Sequence, residues 1–493
     1  MRKNLNLLLA FAVCALCAPG VQAGTPESAA FIDRGRSLFD FGRWTDARHE
    51  FLQARETLSP ADREAAQTVD FYLAACAVEL GSRDAEAALR RFEARYPGSV
   101  YANDVRFSLG SYYCAEGDMK RAREAFEKTD YKALGRARKE QYDVRMGYVE
   151  FTDGDYDKAF GYFDRIGPQS EYADHALYYK SYIDYAEGRY GRAKQGFTAL
   201  QRSDAYRDVV PYYLLQIEFH EGNYRYVVEN GGKLVQRAVP ERRRELERVI
   251  AESWFRLGDF NRTIEHLDAF TAAGGELDRD GSYLMGFSLY RTARYPEAAE
   301  YLRRACGAED ALTQNASYHL ADCYLRAGDK RAAMHAFAMA ADDRFDATIA
   351  EDALFNYGKL QYELGGGAFN GAINVLTRYV EQYPASPRVG EARTLLIAAY
   401  YNSNDYDAAY RAIKSFPTQD ADIRAALQKI TYFRGLEAYN AGDMRAAQRY
   451  LAESAAINVS PKYSALNSFS QGEIAFAQGE YKVAEAKYNA DLK

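Results

Sequence analysis

Hydrophobic and polar positions in this 493-residue chain repeat on a long period. The recurring unit is a Gly, a variable residue, an aromatic residue and then an Ala three positions on. It reads GRWTDA from Gly42, GDMKRA from Gly117, GDYDKA from Gly154, GRYGRA from Gly188, GNYRYV from Gly222 and GDFNRT from Gly258. It continues as GDKRAA from Gly328, GAFNGA from Gly367, GDMRAA from Gly442 and GEYKVA from Gly479. Weaker copies sit at Gly81, Ala293 and Asn404. The thirteen copies stand 34 to 39 residues apart. Self-similarity at that period points to stacked copies of one supersecondary unit.

Two further positions mark most copies. Nine residues after the Gly stands a large apolar side chain: Phe51, Phe126, Phe163, Phe197, Leu267, Leu302, Phe337, Leu376, Ile413, Leu451 or Tyr488. About seven residues before it stands a small one: Gly35, Ala74, Gly110, Gly147, Ser181, Ala251, Gly286, Ala321, Gly358, Gly435 or Gly472. The pattern predicts a helical hairpin. The small residue lets the second helix approach, and the turn residue takes the left-handed conformation that ends the first helix. Asn404 suits that place because Asn is the best substitute for Gly there. The Ala and the large residue fall on the inward stripe of the second helix.

These marks resemble those of the tetratricopeptide repeat (TPR) over residues 28 to 493. The resemblance implies an all-α fold, an α-solenoid of about thirteen TPR hairpins forming a right-handed superhelix. Connections such as YPGSVYANDV from Tyr96, SEYADHAL from Ser170 and YPASP from Tyr383 resemble those of periplasmic TPR proteins of outer-membrane assembly and Tol-Pal type. The sequence lacks the lipid-anchor cysteine of one such family and the N-terminal coiled coil of another.

One stretch invites a different reading. In TDGDYDKAFGYF, from Thr152 to Phe163, Asp153, Asp155 and Asp157 alternate as in a calcium loop. Such a loop carries Gly at its sixth position and a bidentate Glu at its twelfth. Here those places hold Lys158 and Asp164. Asp155 corresponds instead to Asp118, Asp259, Asp329, Asp405 and Asp443, each directly after a turn. A carboxylate there caps the second helix and opposes its dipole. DRDG, Asp278 to Gly281, reads as the loop before another helix, and no metal site is expected.

The net charge of -7 comes from interspersed signs and leaves no nucleic-acid footprint. The most basic run, PERRRELERVI from Pro240, alternates Arg with Glu as a solvated helix face does. Arg2 and Lys3 precede an apolar run from Leu5 to Ala18, and Val21-Gln22-Ala23 offers a small-residue cleavage site. Residues 1–23 are therefore predicted to be an export signal. The run is short for a membrane span, and neither Cys14 nor Cys17 has the small preceding residue of a lipoprotein signal. Beyond it stand Cys76, Cys114, Cys306 and Cys323, spaced too widely for a zinc knuckle or a C-x-x-C pair. Buried free thiols are one reading. A Cys76–Cys114 or Cys306–Cys323 disulfide in an oxidising compartment is the other.

Catalytic templates fail along the chain. Neither His49-Glu50 nor His220-Glu221 has a second His four residues on, and no G-x-S-x-G, P-loop or G-x-G-x-x-G is found. No catalytic residue, cofactor or metal is expected, and the chain is expected not to be an enzyme. The 41 tyrosines carry more information. An aromatic recurs three residues before the turn, as in Phe151, Tyr185, Phe219, Phe255 and Tyr290, and another seven residues earlier, as in Tyr178, Tyr212, Tyr283 and Tyr318. Seven residues are close to two helical turns, so both series share one face of the first helix, joined there by Tyr148, Tyr182 and Phe287. The TPR resemblance places such first-helix positions along a concave groove. These twelve residues are the ligand-binding candidates, a ladder of rings suited to extended peptides or to stacking on sugars. The alternative for each ring is packing between helices. Tyr178, Tyr179, Tyr182 and Tyr185 form the local focus, because not all four can face one core.

Two places interrupt the period, ENGGKLVQRAVP from Glu229 to Pro240 and AAGGEL around Gly274, and either is a candidate joint. The expected organisation is a signal peptide at 1–23, an N-terminal TPR block at 24–238 and a C-terminal block at 239–493, or one continuous solenoid. The last second helix has no obvious polar cap. Ile474, Phe476, Val483 and Tyr488 are therefore expected to be partly exposed and open to self-association. The functional expectation is an exported scaffold, periplasmic or held at the outer membrane through partners. It would bind other proteins or peptide segments, including envelope components, in cell-envelope assembly or maintenance, without nucleic acid and without a transmembrane segment. Two alternatives stand beside it: a glycan-binding TPR protein of a surface polysaccharide-uptake system, and the non-catalytic part of a larger envelope protein.

Overall fold

The computed structural model describes residues 26–491 apart from 343–344, 366–368 and 417–420. The predicted export signal and the turn at Gly367 lie outside the described residues. Among the described residues there are twenty-six α-helices, two short 3-10 turns and no strand. The chain divides into two compact units, one up to Gly222 and one from Asn223 onward. The first holds five helical hairpins, from Pro26–Asp40 with Trp44–Thr57 to Ala173–Ala186 with Tyr190–Leu200, followed by the helix Val210–His220. The second opens with Tyr224–Val235. Seven hairpins follow it, from Pro240–Leu257 with Phe260–Ala272 to Pro461–Ala477 with Tyr481–Tyr488. The architecture is an all-α solenoid of helical hairpins.

The turns fall where the period places them. The backbone is left-handed at ten of the repeat glycines, from Gly42 (φ 73°) to Gly479 (φ 79°), and at Ala293 (φ 63°) and Asn404 (φ 58°). The next residue closes the helix end: Asp155 N donates to the Glu150 carbonyl at 3.0 Å and Arg294 N to that of Leu289 at 2.9 Å. All six turn aspartates accept a backbone N–H of the second helix. Asp118 takes Arg121 N at 3.0 Å, Asp155 takes Lys158 N at 3.1 Å and Asp259 takes Arg262 N at 3.0 Å. Asp329, Asp405 and Asp443 do the same with Ala332, Ala408 and Ala446, each at 2.9 Å. Asp278 caps its helix through Gly281 N at 2.7 Å. The acidic alternation at Asp155 is thus helix-end chemistry, a carboxylate satisfying a free N–H of the second helix.

Small and large residues interlock to hold most of the hairpins. Phe51, Phe126, Phe163, Phe197, Leu302, Leu376 and Leu451 are fully buried. A Cβ built on Gly110 would lie 2.6 Å from the Phe126 ring, on Gly147 2.8 Å from Phe163, and on Gly435 2.7 Å from Leu451. The fifth hairpin shifts the arrangement: Ser181 holds the small position, and a Cβ on Gly196 opposite would fall 1.9 Å from its Oγ. The seated rings then meet the next first helix. Phe51 stacks on Tyr72 at 4.8 Å, Phe163 on Tyr179 at 5.1 Å and Phe197 on Tyr213 at 4.9 Å. One ring therefore closes its own hairpin and the junction to the following repeat, and its burial contributes roughly 1.5–3 kcal/mol. His175 extends one such junction. Its Nδ1 lies 2.7 Å from the Tyr206 hydroxyl and its ring stands edge-on to Tyr179, and burial pushes its pKa down to about 4.

The stretch from Glu229, a candidate joint, is helical as far as Val235: Tyr224–Val235 runs through Gly231 and Gly232, with Val227 and Gly231 buried. Packing overrides the weak helix propensity of the two glycines. Ile474 is buried rather than exposed, because it faces the preceding hairpin at Tyr432, Ala447 and Leu451. Phe476 and Val483 are exposed as expected, with Phe469 and Tyr481 beside them, and Tyr488 is half-buried. The four cysteines are free thiols, three of them buried and Cys306 half-buried, so neither disulfide is formed.

Gly147→Val should destabilise the chain by about 1–3 kcal/mol, because Phe163 is pinned between Gly147 and Tyr179. Ala293→Gly should stabilise it by about 1 kcal/mol by relieving a left-handed Ala. Equilibrium urea unfolding reads both. His175 has a folded pKa below its unfolded value of about 6.5, so its contribution is intact above that pH and is lost as pH falls toward about 4. Unfolding free energy should decline across that window, and His175→Phe should flatten the decline by up to roughly 3 kcal/mol. An unchanged pH profile in that variant would remove the buried neutral imidazole from the account.

Candidate functional site

The first helices Arg136–Thr152, Ala173–Ala186 and Val210–His220 come from consecutive repeats. Tyr148 and Tyr182, then Phe151, Tyr185 and Phe219, then Tyr178 and Tyr212 stand 34 residues apart in register. The structure sorts them into two groups. Tyr178 is buried, its ring stacked on Tyr206 at 4.6 Å and its hydroxyl donating to that of Tyr213 at 3.2 Å. Tyr179 beside it is buried as well. Tyr148, Phe151, Tyr182, Tyr185, Tyr212 and Phe219 are half-buried. Their rings join through the packing tyrosines: Phe151 meets Tyr182 at 5.3 Å, and Tyr182 and Tyr185 each meet Tyr213 at 5.7 Å. Tyr148 reaches Tyr179 at 5.8 Å. Desolvation raises the pKa of Tyr182, so its hydroxyl stays a donor at neutral pH.

The aromatics three residues before a turn have a second partner. Six of them fold over the turn onto the aromatic two residues beyond it. Phe151 meets Tyr156 at 5.6 Å, Tyr185 meets Tyr190 at 5.9 Å and Phe255 meets Phe260 at 5.8 Å. Tyr290 meets Tyr295 at 6.0 Å, Tyr401 meets Tyr406 at 6.2 Å and Phe476 meets Tyr481 at 5.5 Å. Such pairs contribute about 0.5–1.5 kcal/mol beyond their area. Phe151, Tyr185, Phe255 and Tyr290 therefore clasp their own hairpins while keeping part of each ring in solvent.

In the second unit the candidates gather on Pro240–Leu257, Arg279–Arg291 and Ala311–Arg326. Phe287 is the hub, with Phe255 and Tyr283 each at 5.7 Å and His319 at 4.9 Å. Tyr290 and Tyr318 send their hydroxyls to carboxylates one repeat on, donating to Asp322 and Asp352 respectively, both at 2.8 Å. Arg326 Nε also donates to Asp322 at 2.8 Å, while Asn356 Nδ2, at 2.9 Å, and Arg388 donate to Asp352. With Leu325, Phe337 and Phe355, these side chains line a cavity of 440 Å³. Desolvation, then the bond to Asp322, pushes Tyr290 up to about 12, and the matching causes raise Tyr318. Desolvation lowers His319 to about 4, leaving it neutral. The cavity offers hydroxyl and guanidinium donors, carboxylate acceptors and ring faces, the chemistry of holding a polar ligand.

Of the cavity residues, Asp322 stands six residues before its turn, in the register of Tyr148, Tyr182 and Phe287, so that register was the signal that could have found it. Asp352, Asn356 and Arg388 come from the two following first-helix regions and meet only in three dimensions. Tyr156, Tyr190 and Tyr213 carry no less of the strip than the candidates, although their positions read as turn and core marks. Among the described residues no group of side chains is arranged to hold a metal ion, and no helix is long and apolar enough to cross a membrane.

A tetratricopeptide-repeat family model, TPR_16, matches residues 283–349, and the model of YfiO, an outer membrane lipoprotein family, matches residues 349–458. No curated protein matches the sequence. Among solved structures the chain is similar to the APC/C hetero-tetramer Cut9–Hcn1, at 13% identity over 95% of this chain and 90% of that one, with a TM-score of 0.28. It is similar to Naa15/Naa10 bound to HypK-THB at 16% identity over 86% and 68% of the two chains, with a TM-score of 0.30. Against the apo form of RapI the identity is 13% over 50% of this chain and 96% of that one, with a TM-score of 0.26. The family matches cover the left-handed turns at Ala293, Gly328, Asn404 and Gly442, the caps Asp329, Asp405 and Asp443, and the seated Leu302, Phe337, Leu376, Ile413 and Leu451, all in the register found elsewhere. By that register and the match over residues 283–349, the chain carries tetratricopeptide repeats.

Proposed function

We propose that the chain is an exported scaffold that holds extended protein segments against the aromatic faces of its first helices during assembly or maintenance of the cell envelope. The observation that carries this reading is the strip of half-buried rings on consecutive first helices, with Tyr148, Tyr182, Tyr185 and Tyr212 at its centre. Rings fixed on their buried side and wet on the other give contact area at low entropic cost. The match to an outer membrane lipoprotein family supports the envelope setting. TPR scaffolds work by binding rather than by bond chemistry.

A glycan ligand is the second reading. It is favoured by the cavity at Tyr290, Tyr318, Asp322, Asp352, Asn356 and Arg388, whose planar polar groups beside rings suit sugar hydroxyls.

A photo-crosslinking phenylalanine at position 182 or 185 should capture envelope polypeptides in cells, whereas one at exposed Thr198 on a second helix should not. Tyr182→Ala with Tyr185→Ala should lower recovery of those polypeptides about tenfold, equivalent to about 1.4 kcal/mol, with far-ultraviolet circular dichroism unchanged. Equal crosslinking from Thr198 would sink the groove reading. Retention of glycan without polypeptide would replace it with the second.

A further inference from the structure

A second surface, on the first two hairpins, has a different chemistry. Arg48, Leu52 and Arg55 from Trp44–Thr57, Asp70, Leu73, Ala74 and Ala77 from Arg63–Glu79, and Ala88, Arg91, Phe92 and Arg95 from Ala85–Arg95 line a trough of 450 Å³, together with Asp84. The residues from Arg63–Glu79 are spaced three and four apart and form a stripe offset from Phe71, so this is not the face of the aromatic series. Four arginines against two aspartates leave a surplus of two positive charges, on a chain whose net charge is -7.

Arg95 is engaged, its Nη1 lying 3.0 Å from Asp70, which also accepts the Tyr96 hydroxyl at 2.9 Å. Among the described residues no ion pair involves Arg48, Arg55 or Arg91. Their neighbours differ: Arg34 pairs with Glu50, Arg43 with Asp46, Arg90 with Glu86 and Arg106 with Glu93. Arg48 and Arg55 are seven residues apart and Arg91 and Arg95 four apart, so each pair projects from one side of its helix. Between them the floor is apolar, with Leu52, Leu73 and Ala88 half-buried over buried Ala74, Ala77 and Phe92.

We propose that this trough docks an acidic peptide segment, one whose Asp or Glu side chains pair with Arg48, Arg55 and Arg91 and whose single apolar side chain rests on Leu52 and Leu73. Guanidinium forks match carboxylates in bidentate geometry. Spread arginines fit several carboxylates along a chain better than one compact phosphate. An inorganic anion would leave the leucines uncovered, and a planar anionic membrane would not reach the floor. The trough is separate from the aromatic strips, so the inference stands whether or not those hold a ligand.

The test uses the full chain and a fluorescently labelled ten-residue peptide of Asp and Glu around one central Leu. Saturable binding is expected, weakening as salt screens the charges. It should fall about tenfold with Arg48→Glu plus Arg91→Glu and about fivefold when Ser replaces the peptide Leu, effects of the size a lost charged contact and a lost apolar anchor give. Both arginines are exposed and make no ion pair among the described residues, so circular dichroism should not change, and Tyr182→Ala with Tyr185→Ala should leave the binding intact. The proposal is overturned if the peptide does not bind, or binds equally well to the double arginine variant or with Ser in place of Leu. It is also overturned if millimolar inorganic phosphate displaces the peptide, or if phosphatidylglycerol vesicles bind the chain through the same arginines.

Discussion

In most hairpins a large side chain of the second helix lies where the first helix has almost no side chain at all. That exclusion is the constraint on which the array rests. Phe163 has the backbone of Gly147 on one side and the ring of Tyr179 on the other, and Phe51 is held between Gly35 and Tyr72 in the same way. Because one ring serves two junctions, hairpin closure and repeat stacking are not independent. The leucine repeats, as at Gly286 with Leu302 and Gly435 with Leu451, keep the same exclusion with a smaller plug. Where Ser181 breaks the rule, Gly196 restores the clearance from the other helix. The conserved quantity is a volume shared across the pair rather than the identity of either residue.

The period makes the hairpins, their turns and their caps legible in the sequence, since each depends on residues within one repeat. Ala293 and Asn404 were recognisable as turns only through register, and their left-handed backbones follow it. The aromatic site was legible in outline alone. Positions three and ten before the turn share a helix face, but face says nothing about depth. Tyr178 sinks onto Tyr206, from the connection to the next first helix, while Tyr182, one helical turn on, keeps an open side. The clasp between Tyr185 and Tyr190 was hidden because each residue already had a role in the pattern. Ile474 was misplaced for a related reason: an end repeat has one covered side and one bare side, and sequence does not say which side a residue takes.

Charge plays two separate parts in this chain. At the turns it is local and repetitive, one aspartate holding one backbone N–H, as Asp155 does for Lys158. Across repeats it is longer in reach and sparse, as where Tyr290 and Tyr318 bond to Asp322 and Asp352 and tie one first helix to the next. The second kind builds pockets, because its partners come from elements that the sequence keeps apart. In the trough on the first two hairpins like charges gather instead: Arg95 pairs with Asp70, while Arg48, Arg55 and Arg91 make no ion pair among the described residues.

The thiols have a consequence of their own. Desolvation pushes Cys76, Cys114 and Cys323 up to about 12, so at neutral pH each is protonated as well as enclosed. An alkylating reagent meets any of these three sulfurs only when the surrounding helices part, whereas half-buried Cys306 is not so shielded. Two of these sulfurs lie in the first unit and one in the second. The polypeptide thus carries built-in reporters of its breathing, and the order in which they are modified records which stretch loosens first.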